Sequence, residues 1–280
     1  MFKENIVLTG VPRSGTTLTC YLLNKLPTCV ALHEPLSPLE LVGQDRPALV
    51  EATKNFFYEQ RQQILDTGQA LSKSVAGEVP DNSMAGFDSA TGKRVRVLDG
   101  KHIAIKKKLN ENFCLIIKQP AFFTAILPDL VNSNYFNCFA VIRNPLSVLL
   151  SWNSVDMPVS KGRSPGAEGF SKDLKNQLDS IDDLYEKQIY LLDWFYQQYS
   201  KYLPNAHIIY YENTIQSSGR SLSMIHHDAI HLAENLSSKN NNSLYNSALK
   251  EKLFKKILEK PDAAFWRFYS KKDISEEMYS

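Results

Sequence analysis

The fold is decided by residues 5–26, which read NIVLTGVPRSGTTLTCYLLNKL. Residues 5–9 are short and apolar, as is typical of a buried parallel strand. Between residues 16 and 26 the apolar side chains recur at helical spacing, and Pro27 ends the helix. A loop bounded by Gly10 and Gly15 joins the two elements. The stretch therefore predicts a strand, a tight loop and a helix, which begin a βαβ unit.

Apolar strands continue to alternate with helices along the 280 residues of the chain. Further buried strands are predicted at residues 28–32, 114–118, 138–142 and 207–211. Helices are predicted at residues 47–67, 121–131, 144–155, 173–202, 219–236 and 247–259, with a polar linker at 237–243. This alternation predicts one doubly wound parallel sheet of about five strands, flanked by helices and followed by a helical C-terminal part.

Residues 68–108 interrupt the alternation. Within them, Asp99 and Gly100 separate two runs, 93–98 and 101–106, and an Asp-Gly pair supplies the positive φ angles of a type I′ turn. We therefore predict a hairpin that pairs these two runs. We interpret residues 1–280 as a single α/β domain in which 68–108 form an insertion that shapes the mouth of a substrate site.

Composition and charge limit the functions that are compatible with the chain. The net charge is only +2, so nothing global indicates a nucleic-acid or membrane partner, and affinity for an anion must be local. The four cysteines are widely spaced without a CxxC pair, which favours reduced thiols over a disulfide or zinc framework. The sequence contains no apolar run near ~18 residues and no charged-then-apolar leader. We therefore expect a cytoplasmic protein.

The loop 10–17 has the spacing G-x-x-x-x-G-T-T between a strand and a helix. Backbone N–H groups and the helix dipole make such a loop a cradle for a phosphate or sulfate, so the loop is P-loop-like. A nucleoside-triphosphate P-loop has lysine where Thr16 stands, and the only cation of this loop is Arg13. A tight turn without a ligand is the alternative. The predicted binding residues are Arg13, Ser14, Gly15, Thr16 and Thr17.

A second motif begins at the end of the fourth predicted strand, where residues 142–151 read IRNPLSVLLS. Arginine can grip a phosphate with two N–H groups, and a serine two helical turns further on can lie on the same face. Arg143 and Ser151 are therefore predicted to bind a second anion. A helix N-terminus with a surface arginine is the alternative.

Together the two motifs resemble those of sulfotransferases that use PAPS, 3′-phosphoadenosine 5′-phosphosulfate. The loop is similar to the arginine version found in bacterial and tyrosylprotein sulfotransferases. The resemblance covers about residues 5–35, 114–155 and 207–213. It implies that the loop binds the 5′-phosphosulfate and that Arg143 and Ser151 bind the 3′-phosphate. It also implies that 3′,5′-ADP is the nucleotide product and that the reaction needs no metal. The chain departs from the cytosolic animal members because its sequence has no C-terminal glycine-rich stretch. The sequence therefore does not identify the segment that closes over the nucleotide.

The resemblance also implies which residues carry out the reaction, which needs a base for the acceptor proton and cations on the transferring group. Glu34 matches the base glutamate of the tyrosylprotein enzymes, and His33 is its rival. Lys118 resembles a family lysine that contacts the transferring sulfonate, alongside Arg13. The alternative for His33 and Glu34 is that they merely begin the next segment.

We therefore expect a transferase of the EC 2.8.2 type that moves a sulfuryl group from PAPS to a hydroxyl or nitrogen of a small molecule, such as a secondary metabolite or a glycan. A monomer and a homodimer are equally compatible with the sequence. Two alternatives remain. A P-loop kinase of a small metabolite is disfavoured by Thr16, and a non-catalytic nucleotide-binding module would have no use for Glu34.

Overall fold

The computed structural model of the protein describes residues 4–240 and 245–279, and residues 241–243, the end of the polar linker expected at 237–243, lie outside them. The strands are β1 (Asn5–Gly10), β2 (Cys29–His33), β3 (Gln69–Ser74), β4 (Gly86–Asp88), β5 (Lys93–Val95), β6 (Gly100–Ala104), β7 (Cys114–Lys118), β8 (Asn137–Ile142) and β9 (Ile208–Tyr210). The α-helices are α1 (Thr16–Asn24), α2 (Arg46–Thr67), α3 (Pro120–Ala125), α4 (Leu127–Asn132), α5 (Pro145–Asn153), α6 (Pro165–Glu168), α7 (Lys172–Ser180), α8 (Leu184–Tyr202), α9 (Tyr211–Gln216), α10 (Ser247–Leu258) and α11 (Lys271–Tyr279).

Five parallel strands form the central sheet in the order β2-β7-β1-β8-β9. Every residue of β1, β2 and β7 is buried, because helices cover both faces of a parallel sheet. The predicted α/β fold with a parallel sheet of about five strands flanked by helices is confirmed. Because β1 has β7 on one side and β8 on the other, the strand order changes direction beside β1, where ligands bind in sheets of this kind.

Three predicted helices differ from those observed. The helix expected at 121–131 is divided at Ile126, because Pro128 has no N–H to donate to the carbonyl of Thr124 and its ring clashes with that carbonyl in a continuous helix. The helix expected at 173–202 is divided before Asp183, whose carboxylate caps α8 by accepting from the backbone N–H groups of Tyr185 and Glu186. In place of the helix expected at 219–236 there are two short 3₁₀ turns, Arg220–Met224 and His227–His231.

The hairpin predicted at Asp99 and Gly100 is wrong. Asp99 instead anchors the start of β6 to β3, because its carboxylate accepts from the N–H of Ala76 and its own N–H donates to the carbonyl of Ser74 at 3.0 Å. The insertion contains two antiparallel pairs, β3 with β6 and β4 with β5. The turn between β4 and β5 is held by Asp88, whose carboxylate accepts from the N–H of Ala90 at 2.9 Å.

Among the helices of residues 4–240 and 245–279, none combines the length and the apolar character that crossing a membrane requires.

Candidate active site

The carboxyl ends of β1, β2, β7 and β8 meet at one edge of the sheet and border a cavity of about 920 Å³. Because parallel strands all end at the same edge, the segments that follow them converge there. Most of the predicted site residues line this cavity: Arg13, Gly15, Thr16, Thr17, Glu34, Lys118, Arg143 and Ser151. Two do not. Ser14 and His33 are buried beneath the cavity wall.

The loop after β1 is hydrogen-bonded to β8 and α5 through its backbone and the Ser14 side chain. The N–H of Val11 and the hydroxyl of Ser14 both donate to the carbonyl of Val141, at 3.1 Å and 2.7 Å. The indole Nε1 of Trp152 donates to the carbonyl of Pro12 at 2.7 Å. The Ser14 hydroxyl therefore holds the loop in place, and the binding of a ligand by Ser14 stays a prediction.

Gly15 shapes the cradle at the N-terminus of α1. Its φ is +94°, and a Cβ atom on it would lie 2.6 Å from Cδ2 of Tyr211. Only glycine accepts both the left-handed backbone and this close approach. No side chain caps α1, so the N–H groups of its first turn face the cavity without a partner from within the helix.

The two arginines of the motifs lie side by side. Arg143 is 4 % exposed, and its guanidinium lies over the Tyr211 ring. Its Nη1 donates to the carbonyl of Arg13 at 3.1 Å, and its Nε donates to Oδ1 of Asn240 at 2.7 Å. Nη2 of Arg143 is buried and has no hydrogen-bond partner in residues 4–240 and 245–279. The Arg13 Nε donates to the hydroxyl of Ser151 at 3.3 Å. Burial and the neighbouring Arg143 lower the pKa of Arg13 to about 10.

A second charged cluster lies at the ends of β2 and β7. The Lys118 ammonium contacts Oε1 of Glu34 at 2.6 Å, Nε2 of His33 at 3.2 Å and the hydroxyl of Thr17 at 3.4 Å. Lys73 pairs with the other carboxylate oxygen of Glu34 at 3.0 Å. Burial alone would raise the pKa of Glu34, but the charges of Lys118 and Lys73 and the hydrogen bond from Lys118 hold it well below its usual value. Burial and the charge of Lys118 lower the pKa of His33 to about 3, so this ring is neutral near pH 7.

Several cations at the cavity were missed by the sequence analysis because no local motif marks them. They are Lys73, Arg94 and Arg96 from the insertion, together with Arg163 and Lys239. Eight lysine and arginine side chains line the cavity against two carboxylates, Glu34 and Asp81. A chain with a net charge of only +2 therefore concentrates its positive charge at one place, as an anionic ligand requires.

The C-terminal region closes one side of the cavity. Residues 235–237, Lys239 and Tyr245 line it, and the backbone N–H of Lys239 donates to the hydroxyl of Tyr211 at 2.9 Å. Asn240 links Arg143 to α11, because its amide donates to a carboxylate oxygen of Glu277 at 2.8 Å. Residues 235–240 thus lie beside the two predicted anion-binding motifs.

No group of three or more His, Cys, Asp or Glu side chains that could hold a metal ion occurs within the described parts of the chain.

No model of a protein family matches the chain, and no curated protein matches it significantly. The solved structures that are similar to it include two bacterial sulfotransferases. The crystal structure of sulfotransferase STF9 from Mycobacterium avium is 13 % identical, covers 94 % of this chain and 78 % of its own, and has a TM-score of 0.38. The crystal structure of sulfotransferase STF1 from Mycobacterium tuberculosis H37Rv is 14 % identical, covers 99 % of this chain and 77 % of its own, and has a TM-score of 0.36. The likeness is distant, so the function is inferred from the cavity.

Proposed function

We propose that the protein is a PAPS-dependent sulfotransferase of the EC 2.8.2 type, which transfers a sulfuryl group to a hydroxyl or nitrogen of a small molecule. One observation carries this proposal. Arg143 hydrogen-bonds the backbone of Arg13, and its buried Nη2 has no hydrogen-bond partner among the described residues at the same cavity. A buried guanidinium N–H that lacks a partner is costly, so an anion at this position would compensate it.

The residues present fit a donor with anionic groups at both ends. The cradle at Gly15 and the cations Arg13 and Lys118 suit the phosphosulfate, and Arg143 with Ser151 suits the 3′-phosphate. ATP fits less well, because Thr16 replaces the lysine that reaches its β- and γ-phosphates. Ligand cavities for small molecules measure ~300–1,000 Å³. The cavity of about 920 Å³ is therefore large enough for a nucleotide and a small acceptor.

When bound, PAPS supplies an activated sulfuryl group whose leaving group is 3′,5′-ADP. Arg13 and Lys118 neutralise negative charge on the transferring group and on the leaving phosphate. Glu34 accepts the proton of the acceptor hydroxyl or amine, because its carboxylate lines the cavity whereas the His33 ring does not.

The ion pairs of Glu34 make it a weak base while the donor is absent. A carboxylate held by Lys118 and Lys73 has little affinity for a proton. The sulfonate of the donor competes for the Lys118 ammonium and so weakens this hold, which raises the pKa of Glu34. The base therefore becomes effective only when there is a sulfuryl group to transfer.

The proposal is tested by thermal shift with 3′,5′-ADP and with ATP/Mg²⁺ side by side, followed by transfer of labelled sulfate from PAPS to a mixture of small phenols, alcohols and amines. We expect stabilisation by 3′,5′-ADP and transfer of label. Arg13→Ala should abolish both, and Arg220→Ala, an exposed arginine outside the cavity, serves as the matched control. Stabilisation by ATP/Mg²⁺ but not by 3′,5′-ADP would contradict the proposal.

A further inference from the structure

The donor accounts for only some of the positive charge at the cavity. Arg13, Lys118 and Arg143 are assigned to it under the proposed function. Lys73 pairs with Glu34, and Lys239 donates to the hydroxyl of Ser237 at 2.9 Å.

The other cations divide into one that is neutralised and two that are not. Arg163 pairs with Glu168 and Asp179. Arg94 and Arg96 have no side-chain hydrogen bond or ion pair with the described residues, and both line the cavity. Two guanidinium groups thus face the cavity without a protein anion to balance them.

Arg94 lies in β5 and Arg96 lies just beyond its end, and both side chains line the cavity. Successive side chains of a strand point to opposite faces, so Val95 lies on the face opposite to Arg94. The two valines pack against Gly86, since a Cβ atom there would lie 2.9 Å from Cγ2 of Val95 and 2.8 Å from Cγ1 of Val97. The half-buried Val95 and Val97 thus lie toward β4, and Arg94 and Arg96 form an arginine face on the side of the cavity.

The arginine face is also fixed relative to the donor site. The N–H of Arg94 donates to the carbonyl of Ser154, and its carbonyl accepts from the N–H of Asp156, both at 3.1 Å. Ser154 directly follows α5, the helix that carries Ser151. The insertion is therefore joined to the predicted 3′-phosphate helix and holds its arginines as a preorganised platform.

The charges of the two arginines act on residues of the predicted site. Burial is the main cause of the lowered pKa of Arg13 and of His33, and the charges of Arg94 and Arg96, respectively, contribute to it. Arg94 and Arg96 thus line the same cavity as Glu34 and are close enough for their charges to act there.

We propose that the acceptor is itself an anion, a small hydroxyl or amine compound whose carboxylate or other oxyanion is bound by Arg94 and Arg96 while its nucleophilic group faces Glu34. This inference rests on the proposed function and narrows its substrate class. Arginine suits the role because its planar guanidinium binds an oxyanion through two N–H groups. Leu39, Met84 and Met157 line the same cavity, so the acceptor also has an apolar body.

The test uses two probes that differ only in charge, 4-hydroxyphenylacetate and 4-hydroxyphenylacetamide. Binding of each is measured by calorimetry, with and without saturating 3′,5′-ADP. Bound 3′,5′-ADP occupies the anion-binding residues of the donor site. Any preference for the carboxylate probe that remains in its presence therefore comes from the other cations of the cavity, such as Arg94 and Arg96. We expect the carboxylate probe to bind about tenfold more tightly than the amide. Arg94→Gln and Arg96→Gln should each remove most of this difference. Lys101→Gln, an exposed cation of the insertion outside the cavity lining, should keep it.

Equal binding of the two probes by the wild type, or no binding of either, would overturn the inference. A large loss of 3′,5′-ADP affinity in Arg94→Gln and Arg96→Gln would also overturn it, because the arginines would then belong to the donor site. If the wild type binds no 3′,5′-ADP, the proposed function fails. The probe selectivity of the variants without bisphosphate would still decide whether Arg94 and Arg96 bind an oxyanion.

Discussion

Nη1 of Arg143 donates a hydrogen bond of 3.1 Å to the carbonyl oxygen of Arg13, across 130 residues of sequence. The bond joins the loop after β1 to the segment after β8, and Trp152 reinforces it by donating to the carbonyl of Pro12. The two predicted anion-binding motifs therefore form one rigid unit. A substitution in either motif should affect ligand binding at both ends of a nucleotide.

The first prediction concerns Arg143→Lys. Lysine keeps one positive charge but cannot contact Asn240, the carbonyl of Arg13 and a phosphate at the same time. We expect the affinity for 3′,5′-ADP to fall about tenfold or more, and the affinity for 5′-AMP, which lacks the 3′-phosphate, to change much less. Titration calorimetry with the two nucleotides measures both values. Arg267→Lys, at an exposed arginine, is the control, and undiminished preference for 3′,5′-ADP in Arg143→Lys would contradict the assignment.

The second prediction separates backbone strain from steric blocking in the cradle. Gly15 and Gly77 both have positive φ, but a Cβ atom on Gly15 would meet Tyr211 at 2.6 Å whereas one on Gly77 would meet nothing within 4 Å. Gly77→Ala should lower the free energy of unfolding by about 1–2 kcal/mol and leave binding of 3′,5′-ADP intact. Gly15→Ala should cost more stability and should abolish binding, because the cradle has to move to admit the methyl group.

Urea denaturation and calorimetry on the same two variants check this prediction. If Gly15→Ala binds 3′,5′-ADP as tightly as Gly77→Ala does, the backbone at Gly15 does not take part in the site.

The strands and the cradle could be predicted because their signals are local. Five short apolar runs, each followed by a loop or a helix, are sufficient to indicate a parallel sheet, and the carboxyl ends of its strands bring Glu34, Lys118 and Arg143 together. Helix boundaries were less predictable where a proline or a capping aspartate, such as Asp183, interrupts an otherwise periodic pattern.

The insertion could not be predicted because tertiary contacts override its local signals. Asp99 and Gly100 have the sequence of a tight turn, yet Asp99 contacts Ala76 and the chain continues into β6. Arg94 is held at the cavity by the pairing of β5 with β4 and by its hydrogen bond to Ser154, and Arg96 follows it directly after the strand. The Ser14 hydroxyl lies in the predicted anion-binding loop, and its hydrogen bond to the carbonyl of Val141 could not be predicted from the sequence.

The third prediction follows from the low pKa of His33. In the unfolded chain this histidine has its ordinary pKa of 6.5, whereas burial and Lys118 lower the pKa of the folded state to about 3. Between these values the unfolded state binds a proton that the folded state does not, so the free energy of unfolding falls as the pH is lowered from about 6.5. His33→Gln should weaken this dependence between pH 7 and pH 4, as measured by urea denaturation.

The exposed His102 provides the control for this measurement, since His102→Gln should keep the wild-type dependence on pH. An unchanged slope in His33→Gln would mean that His33 has the same pKa in the folded and unfolded states, which would contradict the lowered pKa.

The last prediction decides between Glu34 and His33 as the base. Glu34→Gln retains the shape and hydrogen-bonding capacity of the side chain but cannot accept a proton, so the donor should bind normally while turnover falls by about 10²–10⁴. Glu78→Gln, at an exposed glutamate of the insertion, should turn over at the wild-type rate. His33→Gln should retain far more activity than Glu34→Gln, because a neutral ring beneath the cavity wall does not reach the acceptor. The three rates are measured with PAPS and one acceptor at pH 7. If His33→Gln is the crippled variant and Glu34→Gln is not, the proton goes to His33, and the ion pairs of Glu34 with Lys118 and Lys73 serve only to position that lysine.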